Sequence, residues 1–294
     1  MTPPLSRRAW LSAAALASTA RAAAPSSFGL IADIQYADQR TAGARAYRDS
    51  LNKLSACAAW FQAQHPQFVL QLGDLVDGGE QNLAAAVTAF EAVGRVRYHV
   101  LGNHDATLPR ESLVSALSLR QSWSDHGIGA WRYVLLDSTD ASVLNAALHP
   151  GEGRALLDAA RAAKSANAQE WNGGLGQAQI DWLSRVLDHT RRARQRAVVF
   201  CHQPVLAEAC RPEHLLLNHR QVLACLEQSG VVAAYFSGHD HRGGSAQKNG
   251  IHHVTLKGLV EHPPEECATI VELHAGGLRL RTMDGHERWL AFAG

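Results

Sequence analysis

The chain has no long apolar run, no closely spaced cysteine pair and no extended block of positive charge, and each absence excludes a class of protein. Beyond the N-terminus no stretch reaches 18 apolar residues, so an internal transmembrane helix is excluded. The cysteines form no C-x-x-C pair, which argues against a zinc knuckle. A formal net charge of +1, with 191–196 as the one basic run, does not suggest a nucleic-acid groove.

The five cysteines leave the thiol chemistry open. Their odd number means that at least one thiol stays free, and Cys201 lies in an apolar segment typical of a buried strand. Cys210 and Cys225 would be able to bridge in an oxidising compartment, but the sequence does not establish that disulfide.

Residues 1–24 have the three regions of an export signal. Arg7 and Arg8 precede a modest apolar run at 9–20, and small residues suited to signal-peptidase cleavage follow. The pattern resembles a twin-arginine signal, although a frayed helix with a chance arginine pair is the alternative. We therefore expect an exported protein, periplasmic or extracellular, and a mature chain with 25 basic and 27 acidic residues.

Apolar runs of strand length alternate with helical spacing along most of the mature chain. Strands are predicted at 28–32, 68–72, 96–101, 131–136, 197–201, 231–236, 251–256, 268–273 and 278–283, and helices at 42–64, 83–93, 177–194 and 214–228. The region 141–176 is predicted to be irregular with some helix, and the last three strands to be antiparallel with a hairpin turn at Gly276-Gly277. The alternation predicts an α/β fold with helices covering the sheet, in one domain spanning residues 25–294.

Five of the predicted strands end in a polar block, at the edge where α/β folds build their sites. The blocks are 33–35, 73–77, 102–105, 201–202 and 238–241, and they supply Asp, Gln, Asn and His. A lone block of this kind is usually a turn or a structural histidine, but five in order at strand ends are not explained that way. Oxygen and imidazole ligands without a thiolate suit manganese, iron or zinc.

The ordered blocks resemble the calcineurin-like metallophosphoesterase superfamily, whose pattern is D-x-H, G-D-x-x-D, G-N-H-[DE], a later H and G-H-x-H. The resemblance covers roughly residues 28–283 and implies a four-layer α/β/β/α sandwich with two divalent metal ions. By position it implies that the first ion is held by Asp33, Gln35, Asp74 and His241, and the second by Asp74, Asn103, His202 and His239. A hydroxide bridging the two ions would attack phosphorus.

Gln35 departs from the superfamily pattern, which has histidine there. A neutral amide ligand is expected to hold the first ion more loosely and to shift the preference toward manganese, with iron or zinc as alternatives. The manganese-dependent ADP-ribose/CDP-alcohol diphosphatases share this departure, and segments 28–38, 45–51 and 171–176 resemble their signatures. The resemblance implies hydrolysis of the diphosphate bond of nucleoside diphosphate-linked compounds, while the short loop 38–45 leaves the base preference open.

Two side chains next to the ligands are predicted to be catalytic. His104 follows Asn103 and is expected to stabilise charge or to protonate the leaving oxygen. Asp105 is a candidate for orienting His104, with an ordinary turn residue as the alternative.

Three further side chains are candidates for substrate binding. Arg45 and Arg48 would bind the second phosphate, although a solvated helix face explains them nearly as well. Asn172 lies in a glycine-rich loop before the helix predicted at 177, where backbone amides would meet an anion; a plain loop-to-helix junction is the alternative.

Other functions fit the same predicted site. A cyclic-nucleotide phosphodiesterase or a broad phosphomonoesterase would use the same two metals, and a non-catalytic phosphate-binding protein is disfavoured because every ligand position is retained. A DNA nuclease is disfavoured by the mature net charge of −2 and the lack of basic runs. We expect a small-molecule phosphoester substrate, no nucleic acid and no membrane contact after signal cleavage, and the oligomeric state is not readable.

Overall fold

The structure, a computed structural model, describes residues 26–292, so the predicted export signal lies outside the described residues. Its strands are β1 Ser26–Ile31, β2 Val69–Gln71, β3 Arg97–His99, β4 Ser124–Ile128, β5 Trp131–Leu135, β6 Arg196–Phe200, β7 Val232–Ser237, β8 Arg242–Lys248, β9 Ile251–Lys257, β10 Thr269–His274, β11 Gly277–Thr282 and β12 Glu287–Ala291. Its helices are α1 Ser50–Gln64, α2 Leu83–Glu91, α3 Arg110–Ala116, α4 Pro150–Ala162, α5 Gln177–Arg192, α6 His219–Ser229 and α7 Pro264–Cys267. None of these helices is long and apolar enough to cross a membrane.

The strands form two six-stranded mixed sheets. The first has the order β12-β11-β10-β1-β2-β3, and the second has the order β4-β5-β6-β7-β9-β8. In the first sheet β1, β2 and β3 run parallel, and in the second β5, β6, β7 and β9 run parallel. Each sheet therefore has one edge at which the carboxyl ends of several strands lie side by side, which is where loops can assemble a site.

The two sheets pack face to face because their strands alternate side chains between two buried faces. In β1, Phe28 and Leu30 point into the core between the sheets, whereas Ile31 packs under the helices on the other side. In β6, Phe200 enters the same inter-sheet core and Val199 faces the opposite helical layer. Burial on both faces explains why these strands read as unbroken apolar runs.

Helices cover the outer face of each sheet. Leu54 and Phe61 of α1 and Phe90 of α2 pack on the first sheet, while Leu183 of α5 and Leu226 of α6 pack on the second. The layers are thus helix, sheet, sheet and helix, which confirms the predicted α/β/β/α sandwich.

Several helix and turn boundaries in the structure differ from the predicted ones. Helix α1 begins at Ser50 rather than at residue 42, because the preceding segment forms a loop that folds back on itself through a bridge between Ala42 and Arg45. Helix α6 begins at His219 rather than at residue 214, after a short 3₁₀ turn at Pro212–His214. The hairpin turn between β10 and β11 falls at residues 275–276, close to its predicted place.

The predicted antiparallel arrangement of the last three strands holds for β10 and β11. β9 lies in the other sheet, where it runs antiparallel to β8 and parallel to β7. Strands β4, β8 and β12 escaped prediction because they are edge strands rich in polar residues, with little apolar alternation. Helix α3 was also missed, and α4 occupies part of the region predicted to be irregular. All five cysteines are free, so Cys210 and Cys225 are not bridged.

Candidate metal centre

The seven predicted ligands converge where the carboxyl ends of the two sheets meet. Those from the first sheet follow β1, β2 and β3, and those from the second follow β6 and β7. They are Asp33, Gln35, Asp74, Asn103, His202, His239 and His241, and none is more than 8% exposed. Polar groups buried to this extent need partners, and these side chains are mainly each other's neighbours.

Asp74 lies at the centre of the cluster. Its Oδ2 is 3.3 Å from His202 Nε2 and accepts a hydrogen bond of 3.1 Å from the Gln35 amide. One ligand atom each from Asp74, His202 and His239 lies within 4.8 Å of the others, a spacing that could hold a metal ion. Asn103 Oδ1 joins this side of the cluster at 3.0 Å from His202 Nε2.

A second group of donors adjoins Asp74 on the other side. His241 Nε2 lies 3.4 Å from Asp33 Oδ1 and 3.1 Å from the Gln35 amide nitrogen. The Oε1 atom of Gln35 is buried and has no hydrogen-bond partner among the described residues. A buried oxygen without a partner is costly unless something else satisfies it, and a cation would do so.

Each ligand histidine is held through one ring nitrogen, which leaves the other for the cluster. His202 is held through Nδ1 by the Leu72 carbonyl at 2.8 Å, and His241 is held through Nδ1 by the Glu261 carboxylate at 2.9 Å. His239 is held through Nε2 by Asn172 Oδ1 at 3.0 Å. Metal-binding histidines are commonly fixed in this way, because the held nitrogen sets the tautomer and the ring orientation.

The backbone is unusual at four of these positions. Asp33, Gln35, Asp74 and His239 have φ of 52°, 43°, 56° and 70°, in the left-handed region that side chains with a Cβ rarely adopt. Such conformations cost roughly 1–3 kcal/mol each and cluster at functional sites. The close approach of the loops also requires glycine, because a Cβ on Gly102 would collide with the Asp74 carboxylate.

The buried carboxylates favour positive charge on two of the three ligand histidines, whereas burial and the neighbouring His202 lower the pKa of His239. Burial alone would lower the pKa of His202, but Asp74 and Asp33 raise it to about 9. Burial likewise opposes the charge on His241, yet Asp33 and Glu261 raise its pKa to about 10. Divalent cations displace such protons when they bind histidine. The donor set, the field and the unpaired Gln35 oxygen therefore all fit divalent metal ions.

A cavity of about 410 Å³ opens on the cluster. Its wall combines five of the predicted ligands with cationic, aromatic and apolar side chains. The lining residues are Gln35, Arg45, Asp74, Asn103, His104, Thr107, Leu144, Trp171, His214, His239 and His241. Its volume is within the usual range for small-molecule sites.

Comparison with known proteins places the chain in a family. A model of the calcineurin-like phosphoesterase family matches residues 26–243. The chain belongs to the calcineurin-like phosphoesterase family. The resemblance seen in the sequence is thereby confirmed, and the chain is a phosphoester hydrolase.

Relatives match this phosphoesterase along most of their length. The manganese-dependent ADP-ribose/CDP-alcohol diphosphatase of Oryza sativa subsp. japonica is 32% identical over 275 residues, which are 82% of this chain and 86% of that protein. The protein of the same name from Homo sapiens is 28% identical over 290 residues, 82% of this chain and 85% of that protein. The crystal structure of a dimetal phosphatase from Danio rerio matches with a TM-score of 0.81 and 27% identity, covering 92% of this chain and 100% of that chain.

In this phosphoesterase His104 lies beside the cluster, but Asp105 does not orient it. The Asp105 carboxylate instead accepts backbone N–H bonds from Asp74, Leu75, Val76 and Gly102 at 2.8–3.1 Å. Asp105 therefore organises the loops that carry the ligands, and the predicted contact with His104 is wrong. The physical reason is that four converging backbone N–H groups satisfy a buried carboxylate better than a single imidazole would.

The carboxylate beside His104 is Asp77, whose Oδ1 lies 3.1 Å from His104 Nδ1. His104 Nε2 is 4.0 Å from Asp74 Oδ2, and the ring is one wall of the cavity. Burial opposes the charge on His104, but Asp74 and Asp77 raise its pKa above the usual value. Asp77 was visible in the sequence as the last residue of G-D-x-x-D, but its role was not assigned.

The two arginines predicted to bind phosphate separate in the structure. Arg45 lines the cavity, where its Nε donates to Glu261 Oε1 at 3.2 Å. Arg48 is 60% exposed, is not among the cavity-lining residues, and pairs with Asp38 at 2.6 Å. The structure thus does not bring Arg48 to the site. The loop before α1 explains the difference, because the two arginines do not share one helical face.

Asn172 is fully buried and has a different task from the predicted one. Its Oδ1 holds His239, and its Nδ2 donates to the carbonyls of Asn167 and Glu213 at 2.9 and 2.8 Å. No donor or acceptor of this amide is left for a substrate, so the structure assigns Asn172 to positioning His239.

The amides of the glycine-rich loop are also engaged. Those of Gly173, Leu175, Gly176 and Gln177 donate to acceptor side chains of the protein at 2.8–3.1 Å. The prediction that this loop end binds an anion through these amides is therefore wrong, because side chains brought by distant segments already fill those positions.

Three lining or supporting residues escaped prediction. Trp171, next to Asn172, is 44% exposed at the cavity, which is unusual for so large an aromatic side chain. His214 lines the cavity with its ring centroid 5.0 Å from that of His239. Glu261 holds both His241 and Arg45. No local pattern in the sequence marks Glu261 or His214, since their partners are distant in the chain.

Proposed function

We propose that this chain hydrolyses the diphosphate bond of nucleoside diphosphate-linked compounds such as ADP-ribose or CDP-alcohols, with two manganese ions. The observation that carries the proposal is the cavity itself, in which a cluster of metal-binding side chains lies beside the cation of Arg45 and the exposed ring of Trp171. A substrate with two phosphates and an aromatic base offers phosphates to the metal-binding cluster and to Arg45, and a ring to Trp171. The names of the curated relatives, matched over 82% of this chain, support the same substrate class.

The proposed metal ligands fall into two sets that share one carboxylate. Asp33, Gln35, Asp74 and His241 would hold the first ion, and Asp74, Asn103, His202 and His239 the second. Two ions held in this way supply charge for the phosphoryl oxygens and lower the pKa of a water molecule. Gln35 supports manganese, because its neutral amide oxygen suits a hard cation better than the imidazole of a histidine at that position would.

His104 is the proposed catalytic side chain of the protein itself. Asp77 holds its Nδ1, so that Nε2 faces the cavity next to Asp74. The leaving group of a diphosphate is a phosphate ester, which departs readily without a proton. We therefore assign His104 mainly to stabilising the charge that develops in the transition state, with proton donation as the smaller part.

Arg45 is the proposed partner of the second phosphate. Its guanidinium reaches the cavity wall, and Glu261 accepts from Nε, which leaves other N–H groups to donate. Charge-assisted bonds of this kind to phosphate are about twice as strong as neutral ones. Substrates without a second phosphate would lose this contact.

A substrate panel tests the proposal. The chain from residue 25 to residue 294 would be assayed with manganese, magnesium or zinc on ADP-ribose, CDP-choline, a cyclic nucleotide and p-nitrophenyl phosphate. We expect manganese-dependent release of AMP or CMP, lost in Asp74→Ala and retained in Asp188→Asn, which changes a half-buried acid of α5 that does not line the cavity. Activity on only the monoester or the cyclic nucleotide would refute the diphosphatase assignment and favour the phosphomonoesterase or cyclic-nucleotide phosphodiesterase alternative.

We further propose that the protein is exported to the periplasm or the extracellular space. The support is the twin-arginine pattern at Arg7 and Arg8 followed by a weak apolar run and small residues. Fractionation of cells producing the full chain, with N-terminal sequencing, tests this proposal. We expect a product that begins near residue 25 outside the cytoplasm, and retention when both arginines are changed to lysine. A full-length cytoplasmic product would refute it.

A further inference from the structure

One oxygen of Glu261 serves two different parts of the site. Its Oε1 lies 2.9 Å from His241 Nδ1 and 3.2 Å from Arg45 Nε. His241 belongs to the ligand cluster, and Arg45 belongs to the cavity wall. The side chain of Glu261 is 25% exposed, so this contact is largely shielded from water.

Backbone hydrogen bonds fix the turn that carries Glu261 to the loop after β1, which carries Asp33. Following β9, the amides of Leu259 and Val260 donate to the carbonyls of Ala32 and Asp33 at 3.1 and 3.0 Å. The turn must also begin with glycine, because a Cβ on Gly258 would lie 2.7 Å from the His241 ring. The carboxylate of Glu261 is therefore placed by the same loops that place the ligands.

The same turn is tied to the segment that presents Arg45. The amide of Ala46 donates to the Val260 carbonyl at 2.9 Å, and Lys53 Nζ donates to the carbonyls of Leu259 and Val260 at 3.0 and 3.3 Å. Arg45 thus approaches Glu261 from a segment whose backbone is already docked on the turn. The pairing is built into the fold and is not a contact between two mobile surface side chains.

A carboxylate at this position has two physical consequences. It fixes His241 with its proton on Nδ1, which leaves the Nε2 lone pair for a cation and raises the basicity of the ring. It also balances the charge of Arg45, which otherwise would lie close to a cation site and be repelled from it. Metal binding and phosphate binding on this side of the site would then both depend on the negative charge of Glu261.

We propose that Glu261 is a positioning residue that couples the first metal site to the phosphate contact, through His241 on one side and Arg45 on the other. This inference rests on the proposed function for its phosphate part and on the ligand cluster for its metal part. Because both donors share Oε1, the amide oxygen of glutamine can occupy the same place, so Glu261→Gln removes little besides the charge.

The test compares Glu261→Gln with Arg45→Met and with a matched control, Glu266→Gln. Glu266 is an acid on the same segment that pairs with Lys257 and does not line the cavity. After metal removal, manganese binding would be followed by the electron paramagnetic resonance signal of the free ion. KM and kcat would be measured at saturating manganese, and folding would be checked by circular dichroism and thermal melting in chelator.

We expect Glu261→Gln to weaken one of two manganese sites by about 10-fold or more, as for other groups that support a metal ligand. It should also raise KM by about 5-fold or more with a smaller change in kcat, because a neutral amide oxygen holds the Arg45 guanidinium more weakly than a carboxylate does. Arg45→Met should raise KM and leave manganese affinity within about twofold, and the double variant should be little worse in KM than Arg45→Met alone. Glu266→Gln should change neither constant.

Unchanged manganese affinity in Glu261→Gln would overturn the link to His241, and unchanged KM would overturn the link to Arg45. Either result ends the proposal of a shared role. If the glutamine variant does not stay folded, Glu261→Asp replaces it, since it keeps the charge but shortens the reach, and the same losses are expected. The manganese titration needs no substrate, and KM is measured with any panel substrate that the wild type hydrolyses. A failed diphosphatase assignment is therefore distinguishable from a failed role for Glu261.

Discussion

Replacing Asp105 by asparagine separates a role in folding from a role in catalysis. Oδ1 of Asp105 accepts from the amides of Leu75 and Val76, and Oδ2 accepts from those of Asp74 and Gly102. Asparagine keeps one carbonyl oxygen but places an NH₂ group where the other oxygen was. Two backbone donors then face another donor inside a fully buried site.

The expected loss of stability follows from those two bonds. Hydrogen bonds to a charged group contribute about 1.5–3 kcal/mol each, so Asp105→Asn should reduce the free energy of unfolding by about 3–6 kcal/mol. The whole fold is stable by only about 5–15 kcal/mol. For a chain of this size each kcal/mol corresponds to a change in Tm of about 2–4 °C, which gives a fall of about 6–24 °C.

Differential scanning calorimetry of the metal-free protein measures this effect, because chelator removes any contribution from metal binding. His104→Ala is the matched comparison, since His104 is the neighbouring residue and lines the cavity. We expect His104→Ala to lose activity with a Tm close to wild type, and Asp105→Asn to lose stability first. A variant Asp105→Asn that melts like wild type and yet loses activity 100-fold would refute the structural role and restore the catalytic one.

Three further predictions concern the support of the site. Asp77→Asn should lower kcat by about 10-fold or more, because the carboxylate that holds His104 is lost. Since Asp77 raises the pKa of His104, the loss of the protonated form should move to lower pH in the pH profile of kcat. Asn172→Ala should weaken manganese binding by about 10–100-fold, measured by equilibrium dialysis, because it releases a ligand histidine. Arg45→Ala should raise KM by about 10-fold or more in steady-state kinetics, whereas Arg48→Ala should change it less than about twofold.

Each of these predictions has an outcome that would contradict it. An unshifted pH profile in Asp77→Asn would mean that the profile does not report His104. If Asn172→Ala raised KM without affecting manganese binding, the original assignment to substrate binding would be favoured. Equal effects in Arg45→Ala and Arg48→Ala would place the phosphate contact outside the cavity.

The candidate ligand cluster and most of the core strands could be read from the sequence because both are local signals. A buried strand is a short apolar run, and a glycine followed by Asp, Asn or His after such a run marks a loop at a strand end. The blocks at 73–77, 102–105 and 238–241 follow this pattern, whereas those at 33–35 and 201–202 lack the glycine. The alternation of strands and helices predicted an α/β fold, and the four layers came from the resemblance to the metallophosphoesterase superfamily. Edge strands such as β8 were missed because exposure removes the apolar pattern on which the reading depends.

The sequence by itself determined which residue types form the candidate ligand cluster and which strand ends carry them. Only the tertiary structure decided which side chains contact and hold one another. Asp77 and not Asp105 meets His104, Asn172 holds His239, and Glu261 joins His241 to Arg45. The physical reason is that these partners come from segments far apart in the chain, so their contacts depend on how two sheets and their loops pack. That packing has no periodic or local trace in the sequence.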